Sequence, residues 1–179
     1  MWTITPAQGD SLRPPPPPAI GSPQFNADMD ELRRFTFISP NSEQWRIAVF
    51  WSDGLGTYTP AGHWNEIACE SIARNQLSEL KAARALNLVN MALCDAGVCC
   101  WDAKSYYYYP RPTQMDARIK TIGLPNFPSY TSGHSTFSGA AAEVLAYLFP
   151  REAARFHAMA LEASLSRIYG GIHYRFDCE

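Results

Sequence analysis

Residues 166–177 read Ser-Arg-Ile-Tyr-Gly-Gly-Ile-His-Tyr-Arg-Phe-Asp, and the rest of the chain is best read outward from them. Arg167 is followed by His173, and His173 by Asp177 four positions on. If the chain is helical from Ile172 onward, His173 and Asp177 are i,i+4 neighbours on one face. The carboxylate can then accept a hydrogen bond from the Nδ1 proton of the imidazole, fix one tautomer and leave Nε2 free to attack or ligate. Arg167 adds a permanent cation with a planar fork of donors for an oxyanion. Gly170 and Gly171 break the chain between them, so the Arg and the His can arrive from two elements. Taken singly each is an ordinary residue, and what matters is what lies upstream to meet them.

Upstream the pattern is helical throughout. Ser132 to Phe149 is Ala-rich and ended by Pro150. Arg151 to Tyr169 carries Phe156, Ala160, Ala163 and Ile168 on one side. The longest helix begins at Ser78, where Leu86, Val89, Leu93, Ala96 and Cys100 form one apolar stripe. Shorter helices are expected at Glu43–Trp51 after Pro40-Asn41-Ser42, from Pro60 to about Arg74, and around Met29–Arg34. Residues 106–128 hold four Pro and little periodicity, and read as a long functional loop. Residues 1–24, with Pro14 to Pro18, read as a polyproline tail or linker, and residues 25–179 as one helical domain. No strand pattern competes, so the fold class is all-α, a bundle of five or more helices.

Composition narrows the function. The chain has 179 residues and a net charge of −2, which gives no global basic field for nucleic acid. No run approaches the ~20 apolar residues of a membrane span. The five Cys have no zinc-type or CxxC-type spacing and read as reduced thiols. No signal peptide is evident, so the compartment is open; a soluble protein is expected, with a secreted or periplasmic parent not excluded. The end of the chain two residues after Asp177 suggests a fragment of a longer protein, short at its C-terminus.

Three motifs suit one task. Lys104 and Arg111-Pro112 place two cations at a helix-to-loop exit. Ser132-Gly133-His134 opens a helix, where unpaired amides and the helix dipole favour an anion and the Gly lets it approach. The third is the stretch quoted first. Together Lys104, Arg111 and Arg167 offset about three negative charges, with His173 as nucleophile or metal ligand and His134 as acid/base.

The pattern K-x6-RP, SGH, SR-x5-H-x3-D resembles the three-part signature of the superfamily of type 2 phosphatidic acid phosphatases (PAP2) and vanadium haloperoxidases. It is matched from Lys104 to Asp177, and flanking text from Phe50-Trp51 onward is similar to vanadium chloroperoxidase-like proteins. The resemblance implies that Lys104, Arg111 and Arg167 bind phosphate or vanadate oxygens, with Ser132 and the Gly133 amide assisting. It implies that His173 attacks phosphorus or binds vanadium, that Asp177 orients His173, and that His134 protonates the leaving group or assists peroxide binding. Trp101 and Phe127 resemble aromatics that line a halide pocket, and Asp53 is expected behind the site, paired with Arg167. One departure is Thr131, where the family usually has Pro before SGH.

The activity expected from the resemblance is oxidation of halide by hydrogen peroxide at a vanadate site. The alternative is an acid phosphatase acting on phosphomonoesters or lipid phosphates through a phosphohistidine, without a cofactor. A third reading is an inactive anion-binding fragment. Partners are small molecules in each case; oligomeric state is not read from the sequence.

Overall fold

The computed structural model describes residues 4–36 and 38–179. Residues 1–3 of the N-terminal segment, and Phe37, lie outside it. Among the described residues the fold is all-α: seven α-helices and three short 3-10 helices, with no strand. None of these helices is long and apolar enough to cross a membrane.

The helices are α1 (Pro23–Phe35), α2 (Glu43–Phe50), α3 (Thr59–Arg74), α4 (Glu79–Tyr107), α5 (Pro112–Met115), α6 (Gly133–Leu148) and α7 (Ala153–Tyr169). Ser22, Ser42 and Ser132 cap α1, α2 and α6 by accepting the amides of Phe25, Trp45 and Ser135. Pro stands at the start of α1, α3 and α5, where its missing N–H costs nothing. The α4 stripe buries Val89, Leu93, Ala96 and Cys100, with Ala85 taking the place expected of Leu86, which is half-buried.

Helix α6 packs most extensively on α7 and then on α4; α2 lies on α7, and α3 on α4. Small residues at the contacts, such as Ala141, Ala142 and Ala163, all buried, allow this close approach. Two apolar clusters result. The first gathers Trp51, Trp64, Val89, Leu93, Leu145, Phe149 and Phe156. The second gathers Phe25, Met29, Leu32, Tyr109, Tyr130, Ile168, Tyr174 and Phe176. Trp51 of the first precedes Asp53 by two residues, while Ile168 and Tyr174 of the second follow Arg167 and His173. The candidate site is therefore anchored in both clusters.

Three expectations are corrected. The chain is not helical from Ile172: Gly171, at φ +70°, ends the α7 segment, and only Arg175–Asp177 form a 3-10 turn. The stretch from Tyr106 is not all loop, because α4 runs through Tyr107 and α5 follows Arg111. The short helix at Met29–Arg34 extends to Pro23–Phe35, since the Ser22 cap and Pro23 start it earlier.

The polyproline segment lies against the helices. The hydroxyls of Tyr107, Tyr130 and Tyr109 donate to the carbonyls of Pro14, Pro15 and Pro18 at 2.6, 2.8 and 2.8 Å. Arg13 forks onto Asp102 of α4 at 2.7 and 3.0 Å and lies 3.7 Å above the Tyr106 ring. An extended polyproline strand has no internal hydrogen bonds, so its carbonyls are free to accept.

Candidate functional site

Helix α6, the end of α7, the 166–177 stretch and the loops around residues 53 and 127 enclose a cavity of about 790 Å³. Arg111, Gly133, His134, Arg167 and His173 all reach its wall. So do Asp53, Trp101 and Phe127. Lys104, Ser132 and Asp177 do not; each is buried just behind it.

His173 sits in the turn after α7. Its Nδ1 is 2.7 Å from Asp177 Oδ2, the contact that the four-residue spacing predicts, reached here through a turn. On the other side, Arg111 Nη1 lies 2.9 Å from His173 Nε2. A guanidinium can only donate, so Nε2 is the unprotonated nitrogen and Nδ1–H donates to Asp177. Asp177 Oδ2 also accepts from Ser129 Oγ at 2.5 Å and from the Tyr174 amide at 3.1 Å. The same turn is tied to the loop before α6, where the Ser132 amide donates to the Asp177 carbonyl at 2.7 Å.

Burial, with Arg111 and Lys104 acting in the same direction, holds His173 well below the usual imidazole range. Burial pushes Asp177 up to about 7, against the opposing hydrogen bond from Ser129 and the charge of Lys104. The pair is thus a neutral imidazole on a carboxyl group, its Nε2 lone pair accepting from Arg111 Nη1 where both residues reach the cavity wall.

Arg111 is fixed by Nε donating to the Phe127 carbonyl at 3.0 Å and Nη1 to the Ile172 carbonyl at 2.7 Å. Its Nη2 is buried with no hydrogen-bond partner. Arg167 donates Nε to Ser166 Oγ at 2.8 Å and Nη2 to the Ala48 carbonyl at 3.1 Å. Burial lowers both guanidinium groups to about 10, which leaves them charged at neutral pH.

Lys104 departs from the expected placement. Its ammonium donates to the Pro128 and Ser129 carbonyls at 2.8 and 2.9 Å and lies 5.1 Å from the Phe127 ring centre. Ser132 is turned inward as the cap of α6. The first-turn amides of Gly133 and His134 have no carbonyl one turn back, and they open beside the cavity.

His134 Nε2 is buried without a hydrogen bond, 3.7 Å from Asp53 Oδ2. Burial and then the charge of Arg167 hold this imidazole well below its usual range. Asp53 does not bond Arg167 as expected; its oxygens lie 3.2 and 3.1 Å from His63 Nδ1, and Arg167 acts on it at longer range. Trp101 and Phe127 pack at 5.6 Å between ring centres, and Leu55, Ile122, Leu124 and Phe137 extend the apolar wall.

Two polar residues escape a reading of the sequence. Ser129 stands three residues before Ser132, but nothing in spacing shows that it reaches Asp177. His63 lies in α3, where a lone His on an apolar face reads as packing.

The arrangement suits a tetrahedral oxyanion: two arginines, helix-start amides and two imidazoles line one cavity. The family model of the PAP2 superfamily matches residues 84–179, and the chain belongs to that superfamily. Vanadium chloroperoxidase of Curvularia inaequalis is 28% identical over 57% of this chain and 22% of its own length. The crystal structure of the first bacterial vanadium-dependent iodoperoxidase superposes with a TM-score of 0.85 at 30% identity, covering 99% of this chain and 54% of that one. A transmembrane PAP2-type phosphatidylglycerolphosphate phosphatase from Bacillus subtilis shares the fold, with a TM-score of 0.62 at 16% identity, over 89% of this chain and 80% of that one. The chain thus spans about half the iodoperoxidase and under a quarter of the chloroperoxidase.

Proposed function

We propose that the cavity binds vanadate and that the chain works as a vanadate-dependent haloperoxidase, oxidising halide with hydrogen peroxide. The observation that carries this is the unpaired state of Arg111 Nη2 and His134 Nε2, two buried polar atoms on residues of one wall. Buried polar groups are normally paired, and an oxyanion would pair both. The residues fit the group: Arg111, Arg167 and the Gly133 amide would hold its oxygens and His173 Nε2 its centre. When bound, vanadate supplies Lewis-acid activation of hydrogen peroxide.

The protein's part is to bind, orient and move protons. Asp177 accepts the hydrogen bond of His173 Nδ1–H and so leaves the lone pair on Nε2, which Arg111 Nη1 occupies at 2.9 Å and would release on turning to the bound anion. His134, on the opposite side, is placed to take or give a proton beside the anion. The apolar wall of Trp101, Phe127 and Leu124 suits a weakly hydrated halide. The similarity to the iodoperoxidase supports this choice over the alternative, hydrolysis of phosphomonoesters with His173 Nε2 as nucleophile. That alternative uses the same residues, since vanadate and phosphate share charge and shape.

A pair of assays on the purified chain separates them: iodide or bromide oxidation with vanadate and peroxide, and p-nitrophenyl phosphate hydrolysis without vanadate. Halide oxidation alone supports the proposal; hydrolysis alone transfers it to the phosphatase reading. Failure to bind vanadate by calorimetry overturns both. His173→Ala is expected to abolish turnover and most vanadate affinity. His134→Ala is expected to keep much of the binding and lose ~100-fold or more in turnover. The reverse pattern would show the two roles to be exchanged.

A further inference from the structure

Resting on the reading above, we propose that His63 is a positioning residue for His134, acting through the Asp53 carboxylate that stands between them.

The geometry is a line of three groups from three segments, His63 and Asp53 buried and His134 partly so. Asp53 lies in the loop after α2, at φ +43°, a conformation unusual for a residue with a side chain. Its two oxygens are 3.2 and 3.1 Å from Nδ1 of His63 on α3. Oδ2 also faces His134 Nε2 on α6 at 3.7 Å, too far for a hydrogen bond but close for a charge. His63 cannot turn away. Its ring stacks on Trp51 at 4.4 Å, with Phe50 and Tyr58 edge-on at 5.0 and 5.1 Å. Trp51 serves both ends, because its backbone also makes a hydrogen bond with His134.

The charges around His134 show why such a device is needed. Arg167 of α7 and Arg111 beside α5 both disfavour a second proton on it, as do burial and His63 itself. Asp53 is the carboxylate that faces it. Burial disfavours ionisation of Asp53 in turn, and the hydrogen bond from His63 is the largest effect opposing this, ahead of the charge of Arg167. His63 thus aims Asp53 and opposes the burial that disfavours its charge, and a carboxylate held 3.7 Å from His134 Nε2 favours a proton there, beside the bound anion. No atom is transferred between His63 and substrate.

Two variants separate this role from simple packing. His63→Phe keeps a ring on Trp51 and removes the donor. His63→Asn removes the ring and keeps an N–H near the position of Nδ1. If His63 acts through its hydrogen bond, His63→Phe loses ~10-fold or more in kcat, with KM and vanadate affinity changed by less than about threefold. His63→Asn retains most of the turnover. In phosphate-saturated protein without vanadate, the His134 ring followed by NMR titrates about 1 pH unit or more lower in His63→Phe than in wild type, because Asp53 is less ionised. The limb of the pH–rate profile that follows His134 moves the same way.

Retained activity in His63→Phe with loss in His63→Asn would assign His63 to packing and overturn the proposal. So would an unchanged His134 titration. If His63→Phe fails to fold by circular dichroism, Asp53→Asn decides instead, and an unlowered His134 titration there overturns the inference. A wild-type chain that neither binds phosphate nor turns over removes the functional reading and this inference with it. A working wild type beside an unaffected His63→Phe removes this inference alone.

Discussion

At the scale of single residues, the two arginines hold the site by opposite means. Arg111 is bound by backbone carbonyls of Phe127 and Ile172 and leaves one nitrogen over. Arg167 is held by its neighbour Ser166 and by the Ala48 carbonyl at the foot of α2. Arg167→Ala is expected to weaken phosphate or vanadate binding by about 2 kcal/mol or more, near 30-fold. Lys81→Ala, an exposed cation on α4, is expected to change it by less than about 1 kcal/mol. Calorimetric titration of both variants checks this, and equal losses would count against Arg167. Lys104 gives a pH dependence. Burial holds its ammonium down to about 8, with Arg111 acting in the same direction. Anion binding favours the charged form. Affinity is therefore independent of this group below about 8 and falls above it, by up to ~10-fold per pH unit. Phosphate titrated from pH 8 to 9, where its own charge is nearly constant and the two arginines at about 10 remain charged, tests the slope, and Lys104→Met should bind more weakly at pH 8 and flatten it.

At the scale of elements, the turn after α7 carries the chemistry, and its shape depends on Gly171. At φ +70°, Gly171 donates to the Ile168 carbonyl while Ile172 reaches back to the Arg167 carbonyl, which ends the helix and turns the chain toward the cavity. A Cβ on Gly171 would stand 2.3 Å from the Lys120 carbonyl oxygen. The neighbour is backbone and cannot move aside as a side chain could. Gly171→Ala is therefore expected to cost more than about 2 kcal/mol of stability, measured by urea unfolding, and to weaken anion binding in the fraction that folds. A change within experimental error would mean that the 119–122 segment yields. The far end of the turn is clamped to α1, where Asp28 accepts the Phe176 amide at 2.9 Å and Glu31 pairs with Arg175. Helix α1 therefore stabilises the site without touching it.

Over the whole molecule, the parts that short-range chemistry sets were legible in the sequence. Ser42 and Pro60 mark helix starts because caps and proline act within one turn. Val89, Leu93 and Cys100 mark a buried face because helical period is local. Of the signature residues, Arg111, Gly133, His134, Arg167 and His173 reach one cavity, and Lys104, Ser132 and Asp177 lie buried behind it. Contacts that close over long separations were not legible. Nothing near Asp53 names His63 as its partner rather than Arg167. Nothing near Lys104 shows that two carbonyls will occupy its ammonium. The run Tyr106 to Tyr109 gave no purpose until Pro14 to Pro18 were seen lying across it. That strap is testable. Tyr107→Phe, Tyr109→Phe and Tyr130→Phe each remove one hydrogen bond and should each cost about 1 kcal/mol in urea unfolding at unchanged slope. Tyr108→Phe, on a side chain that is 78% exposed, should stay within about 0.5 kcal/mol. Equal effects at all four would deny the strap.

The indoles divide in a way that bears on how binding can be watched. Trp51 and Trp64 are sealed in the first apolar cluster, at 0% exposure. Trp101 is 45% exposed and forms part of the cavity wall, with its ring 3.9 Å from where a Cβ on Gly133 would stand. Of the chain's five indoles these two are thus shielded from water, half-buried Trp45 of α2 stands off the cavity wall, and Trp101 looks directly onto the start of α6. An anion seated on that helix end would change the polarity around one indole and leave the sealed pair dark to it, so the protein carries an optical gauge of its own occupancy, readable by fluorescence without any label.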